Sequence, residues 1–194
     1  MALLDRETRP FHAEADQGWE GLLRGHGTLD AYVHQLTMTY GFELPFELAC
    51  AHTSGLSEAI NLRGRSRATL ITQDLLALGC TADEVKAIQY CALAPFQDAA
   101  EALGWMYVVE RPTLIHGRIR KELTSRFVEL SRATTYLSAF EGYASKRRME
   151  LGIALDRLCV SSKVCGRVVD AARTGFQALI EWQRTNSPVL QNAG

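Results

Sequence analysis

Residues 103–119 constrain the fold more than any other stretch of this chain: Leu103-Gly104-Trp105-Met106-Tyr107-Val108-Val109-Glu110-Arg111-Pro112-Thr113-Leu114-Ile115-His116-Gly117-Arg118-Ile119. The first half is apolar on almost every side. A helix with no wet face has to be enclosed by other elements. Pro112 has no backbone N–H and its ring clashes with the preceding turn, so the helix is interrupted just before a small polar patch. Elsewhere apolar residues recur at steps of three and four, and β-type alternation is almost absent. The chain therefore reads as an all-α bundle.

Local signals divide the rest into about seven helices, the scale of a multi-helix bundle. A first helix covers roughly residues 3–17 and carries Pro10. Gly25-His26-Gly27 is a break, after which Thr28 caps a long helix with Leu29, Val33, Leu36, Tyr40, Leu44 and Leu48 at helical spacing and a kink at Pro45. Residues 55–64 read as a loop with a weak helical turn. Ser66 opens a helix that Gly79 stops, and Thr81 with Glu84 forms a capping box for a short helix ending before Pro95. Residues 96–127 read as one long helix kinked at Pro112. Two pieces, 134–142 and 144–158, meet near Gly142-Tyr143, and Ser161 or Ser162 caps a last helix. Without an internal repeat, low-complexity tract or Pro/Ser linker, residues 1–194 are expected to form a single domain.

Composition limits the function classes. The 22 acidic and 21 basic side chains nearly cancel, leaving no global field to attract nucleic acid or an anionic membrane. Cys50, Cys80, Cys91, Cys159 and Cys165 are scattered, with no C-x-x-C pair. They are expected to be reduced, mostly structural thiols rather than a disulfide framework or a zinc cage. With charge already at Asp5, the N-terminus is expected to lack the apolar core of a signal peptide. No apolar run approaches the ~20 residues that span a bilayer. These features predict a soluble, cytoplasmic protein. Paired carboxylates of the hydrolase kind, a nucleophile elbow and a phosphate-cradling loop are missing.

The chemistry that remains centres on histidine. His12 lies in a helical stripe with Leu4 and Thr8 at steps of four, so its side chain is expected to point into the bundle. A neutral imidazole there is suited to axial ligation of haem iron. For a lone histidine, base rates favour the plainer reading of a satisfied, partly buried structural side chain. His26, His34 and His52 have no ligand-like spacing. Near Pro112, Gly117 offers the close backbone approach that a flat ligand needs, and Met106, Val109, Leu114, Ile119 and Phe127 could line a macrocycle or simply pack the core. Lys146, Arg147 and Arg148, just after Tyr143, could grip carboxylates at a pocket mouth or form a solvated helix face.

Five stretches in order make the chain resemble the bacterial biliverdin-producing haem oxygenases, in particular those that accompany bacteriophytochromes. Thr8…His12…Asp16 is similar to the proximal helix of that family, and Asp74-Leu75-Leu76-Ala77-Leu78-Gly79 to its D-L-x-x-L-G stretch. Residues 103–110 are similar to L-G-x-x-Y-V-L-E. Phe140-Glu141-Gly142-Tyr143, and Thr174-Gly175-Phe176 near Trp182, are similar to the C-terminal helices.

The resemblance implies a haem-oxygenase-like bundle in which haem is both substrate and cofactor, cleaved to biliverdin, carbon monoxide and iron with dioxygen. Electrons would come from an external reductase or ferredoxin, and a bacteriophytochrome would accept the bilin. His12 takes the proximal-ligand role. Thr113 and Ile115 fall on the haem-lining stretch, Tyr143 with Arg147 or Arg148 on the propionates, and His116 and Gly117 on the catalytic distal face. Where the family reads E-G-S-T-L-G-G, this chain has Glu110-Arg111-Pro112-Thr113-Leu114-Ile115-His116, so both distal glycines are replaced. Ile115 and His116 are therefore expected to crowd the distal side, pushing that helix outward and slowing or abolishing turnover. The alternative is a non-catalytic haem or bilin binder in which His116 ligates iron or blocks the slot.

Overall fold

A computed structural model describes residues 1–23 and 27–186, so Gly25 and His26 of the expected break lie outside the described residues. The helices follow from local signals more often than not. α1 (Ala2–Ala15) keeps Pro10 inside and is followed at once by α2 (Gln17–Leu23), a short helix without a sequence cue that buries Trp19 and Leu22. α3 (Leu29–Ala51) starts at Thr28, whose hydroxyl accepts the Ala31 N–H at 3.0 Å, and runs through Pro45. α4 (Leu56–Ala59) is the weak turn, entered through Gly55 at φ 74°.

α5 (Ala68–Ala77) is capped differently from the expectation. The Glu47 carboxylate on α3 accepts the N–H groups of Arg67 and Ala68, and Ser66 donates its hydroxyl to the same carboxylate. A long-range acid thus does the work assigned to Ser66. α6 (Ala82–Lys86) has the reciprocal Thr81–Glu84 box but ends well before Pro95.

The 96–127 segment is two helices rather than one kinked helix: α7 (Ala99–Glu110) and α8 (Thr113–Arg126). Pro112 cannot donate, and the carbonyls freed by the break find other partners. Thr113 donates its hydroxyl to the Glu110 carbonyl at 2.6 Å, and buried Arg67 donates to the Val109 carbonyl at 3.1 Å. α9 (Thr135–Ser138) is held by Asp74, which accepts the N–H groups of Thr135 and Tyr136 at 2.8 Å each. α10 (Ala144–Leu158) follows Gly142 at φ 76°, and α11 (Ser162–Asn186) begins after Ser161, whose Oγ accepts the Val164 N–H at 3.3 Å. Eleven α-helical segments, not about seven, thus appear among the described residues. The surplus comes from short pieces and the break at Pro112.

Two cores result. One joins α1, the second half of α3, α7, α10 and α11 around Leu103, Met106, Tyr107 and Phe176. The other joins α2, the first half of α3, α5, α8 and α9 around Trp19, Tyr32, Leu36 and Tyr136. α7 is buried on every side from Ala99 to Val109 except at Glu101, as its composition requires. It packs most closely on α11, where Gly104 and Gly175 admit the facing helix. Among the described residues no helix is long and apolar enough to cross a membrane.

Candidate functional site

His12 lies on the inner face of α1 beside a cleft of about 270 Å³ between that helix and the start of α8. The cleft is lined by Asp5, Arg9, Asp16, Arg111, Leu114 and Arg148, with Ile115 and Pro112 on the α8 side. Asp5, Arg9 and Asp16 stand seven and three residues before and four after His12. They share its helical stripe, and the sequence carried that signal.

The His12 ring is backed by Phe176 of α11, with ring centroids 5.3 Å apart. His12 Nε2 and Thr8 Oγ1 are 2.9 Å apart. Thr8 donates its own proton to the Leu4 carbonyl at 2.7 Å, so its oxygen is free to accept from the imidazole. Beyond Thr8, the Tyr107 hydroxyl donates to Asp5 at 2.7 Å, and Arg148 donates to both Asp5 oxygens at 2.8 and 3.0 Å. Burial, reinforced by the Arg111 charge, holds the His12 pKa below 6.5 even though Asp16 and Asp5 pull it upward. The ring is therefore neutral at pH 7, the form that ligates a metal. Burial likewise pushes the Tyr107 phenol up to about 12, keeping it a hydrogen-bond donor.

The cleft is tied across its mouth. Arg111, in the break between α7 and α8, donates to both carboxylate oxygens of Asp16 at the end of α1. Both side chains are mostly buried, at 20% and 11% exposure, so the pair is a mechanical link between the two walls and not a solvated contact.

The other expected residues are distributed differently. His116 faces away from His12, buried at 3% exposure between Trp19 and Tyr136 with ring centroids 5.0 Å from each. Burial and the nearby Arg67 charge drive its pKa well below 6.5, and Nε2 has no hydrogen-bond partner among the described residues. His116, expected to crowd or ligate in the slot, does not line this cleft: on α8 it is Ile115, one residue earlier, that does, and the next residue is turned into the second core. Gly117 is exposed with open space around its Cα, so no close approach occurs there. Thr113 is buried beside a neighbouring hollow with its hydroxyl committed to Glu110.

Tyr143 is 63% exposed and lines no part of the cleft. Arg147 points the other way from Arg148, donating to the Gly64 carbonyl at 2.7 Å and pairing with Glu110, its guanidinium over Phe140. Of the basic cluster, Arg148 alone reaches the cleft.

A larger cavity of about 570 Å³ lies between α3 and the 62–72 segment, lined mostly by apolar groups such as Leu44, Phe46 and Leu62. Its charged groups, Glu47 and Arg65, are spent on α5 capping and on ion pairs with Glu110 and Glu150. The His12 cleft is smaller, but it collects the histidine and the arginines.

These residues match the needs of haem in kind: a neutral imidazole on one wall, apolar side chains on the other, and the cations Arg9 and Arg148 at the edge for carboxylates. In size the cleft falls just short of the ~300–1,000 Å³ usual for small-molecule sites, so α1 and α8 must separate to admit a macrocycle. Residues 1–185 match the family model described as heme oxygenase. No curated protein matches the chain.

Proposed function

Since the chain belongs to the heme oxygenase family, we propose that the cleft between α1 and α8 binds haem, that His12 would hold its iron, and that the protein converts haem to biliverdin, carbon monoxide and iron. The observation that carries this reading is the imidazole on the cleft wall, backed by Phe176 and flanked by Arg9 and Arg148. When bound, haem supplies the dioxygen and redox chemistry, and the protein supplies orientation and electrostatics.

Each residue then has a defined task. His12 would hold the metal in place of its contact with Thr8. Thr8 keeps its bond to Leu4, and so preserves the α1 wall. Arg148 would hold a propionate by giving up one Asp5 oxygen, while the Tyr107–Asp5 bond keeps that end of α1 in place. Leu114 and Ile115 exclude water from the opposite face. Electrons come from an external reductase or ferredoxin. The proposal includes a cytoplasmic setting in which a bacteriophytochrome accepts the bilin.

A second reading is a haem or bilin binder without turnover. It is favoured by one observation: the α8 residues facing His12 are the branched Leu114 and Ile115, and His116 points away. Hemin titration followed by reduction under air separates the two. A Soret band in the parent that His12→Ala loses and added imidazole partly restores would assign the ligand, and bleaching to a bilin would establish the enzyme. A stable spectrum under reductant would support the binder. A Soret band unchanged in His12→Ala would remove the assignment.

A further inference from the structure

The five cysteines show no pairing pattern in sequence, yet the fold brings two of them together. Cys159 ends α10 and Cys165 lies one turn into α11, so the short connection 159–161 turns the chain back on itself between them. The Cys159 N–H closes α10 on the Leu155 carbonyl at 2.9 Å, and the Val160 N–H reaches the Leu158 carbonyl at 2.8 Å. With Cys159 at φ −75° and ψ 54°, this is a tight inverse γ-turn. On the far side the Cys165 N–H bonds to the Ser161 carbonyl at 3.0 Å. The backbone on both sides of the turn is therefore fixed.

In that frame Cys165 donates its S–H to the Cys159 carbonyl oxygen at 3.6 Å, which brings the two side chains to the same turn. Both cysteines are half-buried. The turn between them is open to solvent, with Val160 84% exposed, so a small oxidant can reach the sulfurs.

We propose that Cys159 and Cys165 form a redox-modification site, a dithiol that hydrogen peroxide converts to an intramolecular disulfide across the α10–α11 turn. Burial and the neighbouring thiol push Cys159 up to about 11. The first of the two sulfurs to ionise attacks peroxide as its thiolate, giving the sulfenic acid and hydroxide. The other sulfur then displaces the sulfenic oxygen, forming the S–S bond and releasing water. In total two thiols and one peroxide become one disulfide and two waters, and a dithiol reductant reverses the change.

The bond would pin the end of α10, the helix of Arg148, to the start of α11, the helix of Phe176. The site does not depend on the haem reading, because neither sulfur touches the His12 cleft.

The test is intact-mass and peptide analysis of the full chain after brief exposure to dilute hydrogen peroxide without added metal. The expected result is a loss of about 2 Da, located in a peptide linking Cys159 to Cys165 and restored by dithiothreitol. Cys50, Cys80 and Cys91 should stay alkylatable under the same conditions. Cys159→Ser should instead accumulate an oxygen adduct on Cys165 with no mass loss. The proposal is overturned if the parent acquires only oxygen adducts, links either cysteine to another residue, or forms covalent dimers in place of the internal bond.

Discussion

Replacing Gly104 with alanine should weaken the whole bundle, whereas the same change at Gly117 should not. A Cβ at position 104 would stand 2.6 Å from the Val168 carbonyl oxygen, 2.8 Å from Ala171 Cβ and 3.0 Å from the Ala172 nitrogen. Two of those three are backbone atoms of α11, held by that helix, so the clash is relieved only if α7 and α11 move apart. Overpacking costs about 1–3 kcal/mol, and contact below 3 Å with backbone belongs at the upper end. Alanine returns about 1 kcal/mol of helix propensity.

The net loss is about 2 kcal/mol, or roughly 4–8 °C in Tm for a chain of this size. Gly117 is exposed within α8, and nothing lies within 4 Å of an added Cβ, so alanine there keeps only the propensity gain of about 0.5–1 kcal/mol. Thermal melts followed by far-UV circular dichroism measure both. A Gly104→Ala protein melting at or above the parent would refute the argument that close approach of these two helices requires a missing side chain. A Gly117→Ala protein melting below the parent would show a packing role that the open surroundings of that residue do not contain.

Two further outcomes follow from the site. Arg111→Ala cuts the tie to Asp16 across the cleft mouth, so hemin association in stopped-flow absorbance should accelerate several-fold; an unchanged or slower rate would show that the bridge does not restrict access. Burial works against the charge on Asp5, but hydrogen bonds from Tyr107 and Arg148 outweigh it and hold the pKa below the ordinary 3.8. A lowered carboxyl pKa means the folded state favours the carboxylate, so this contribution is complete above pH 3.8 and is lost as pH falls further. The Tm advantage of the parent over Asp5→Asn should accordingly be full at neutral pH and shrink on acidification below pH 3.8, and a constant difference would contradict the assignment.

Much of this protein was legible from short-range signals. The Thr28 cap, the Thr81–Glu84 box and the interruption at Pro112 each depend on groups within a few residues of one another, and all three are present. The enclosure of residues 103–109 followed from composition, since a helix without a polar face has to be covered. The stripe joining Asp5, Thr8, Arg9, His12 and Asp16 is equally implied by helical periodicity, since Leu4, Thr8 and His12 already mark that side of the helix.

Tertiary structure decided what each face meets. Successive residues on a helix point about 100° apart, so periodicity states which side chains travel together but not how the helix is rotated about its axis. On α8 that rotation puts Ile115 in the cleft and His116 in the opposite core, where Trp19 and Tyr136 receive it. On α10 it sends Arg148 to Asp5 and Arg147 to Glu110. Contacts between elements far apart in sequence were hidden for the same reason: Glu47 capping α5, Arg67 taking the Val109 carbonyl, and Arg111 closing on Asp16. The helices and their breaks come from bonds each segment makes with itself, while the site comes from rotations and approaches that only the packing of several helices at once can set.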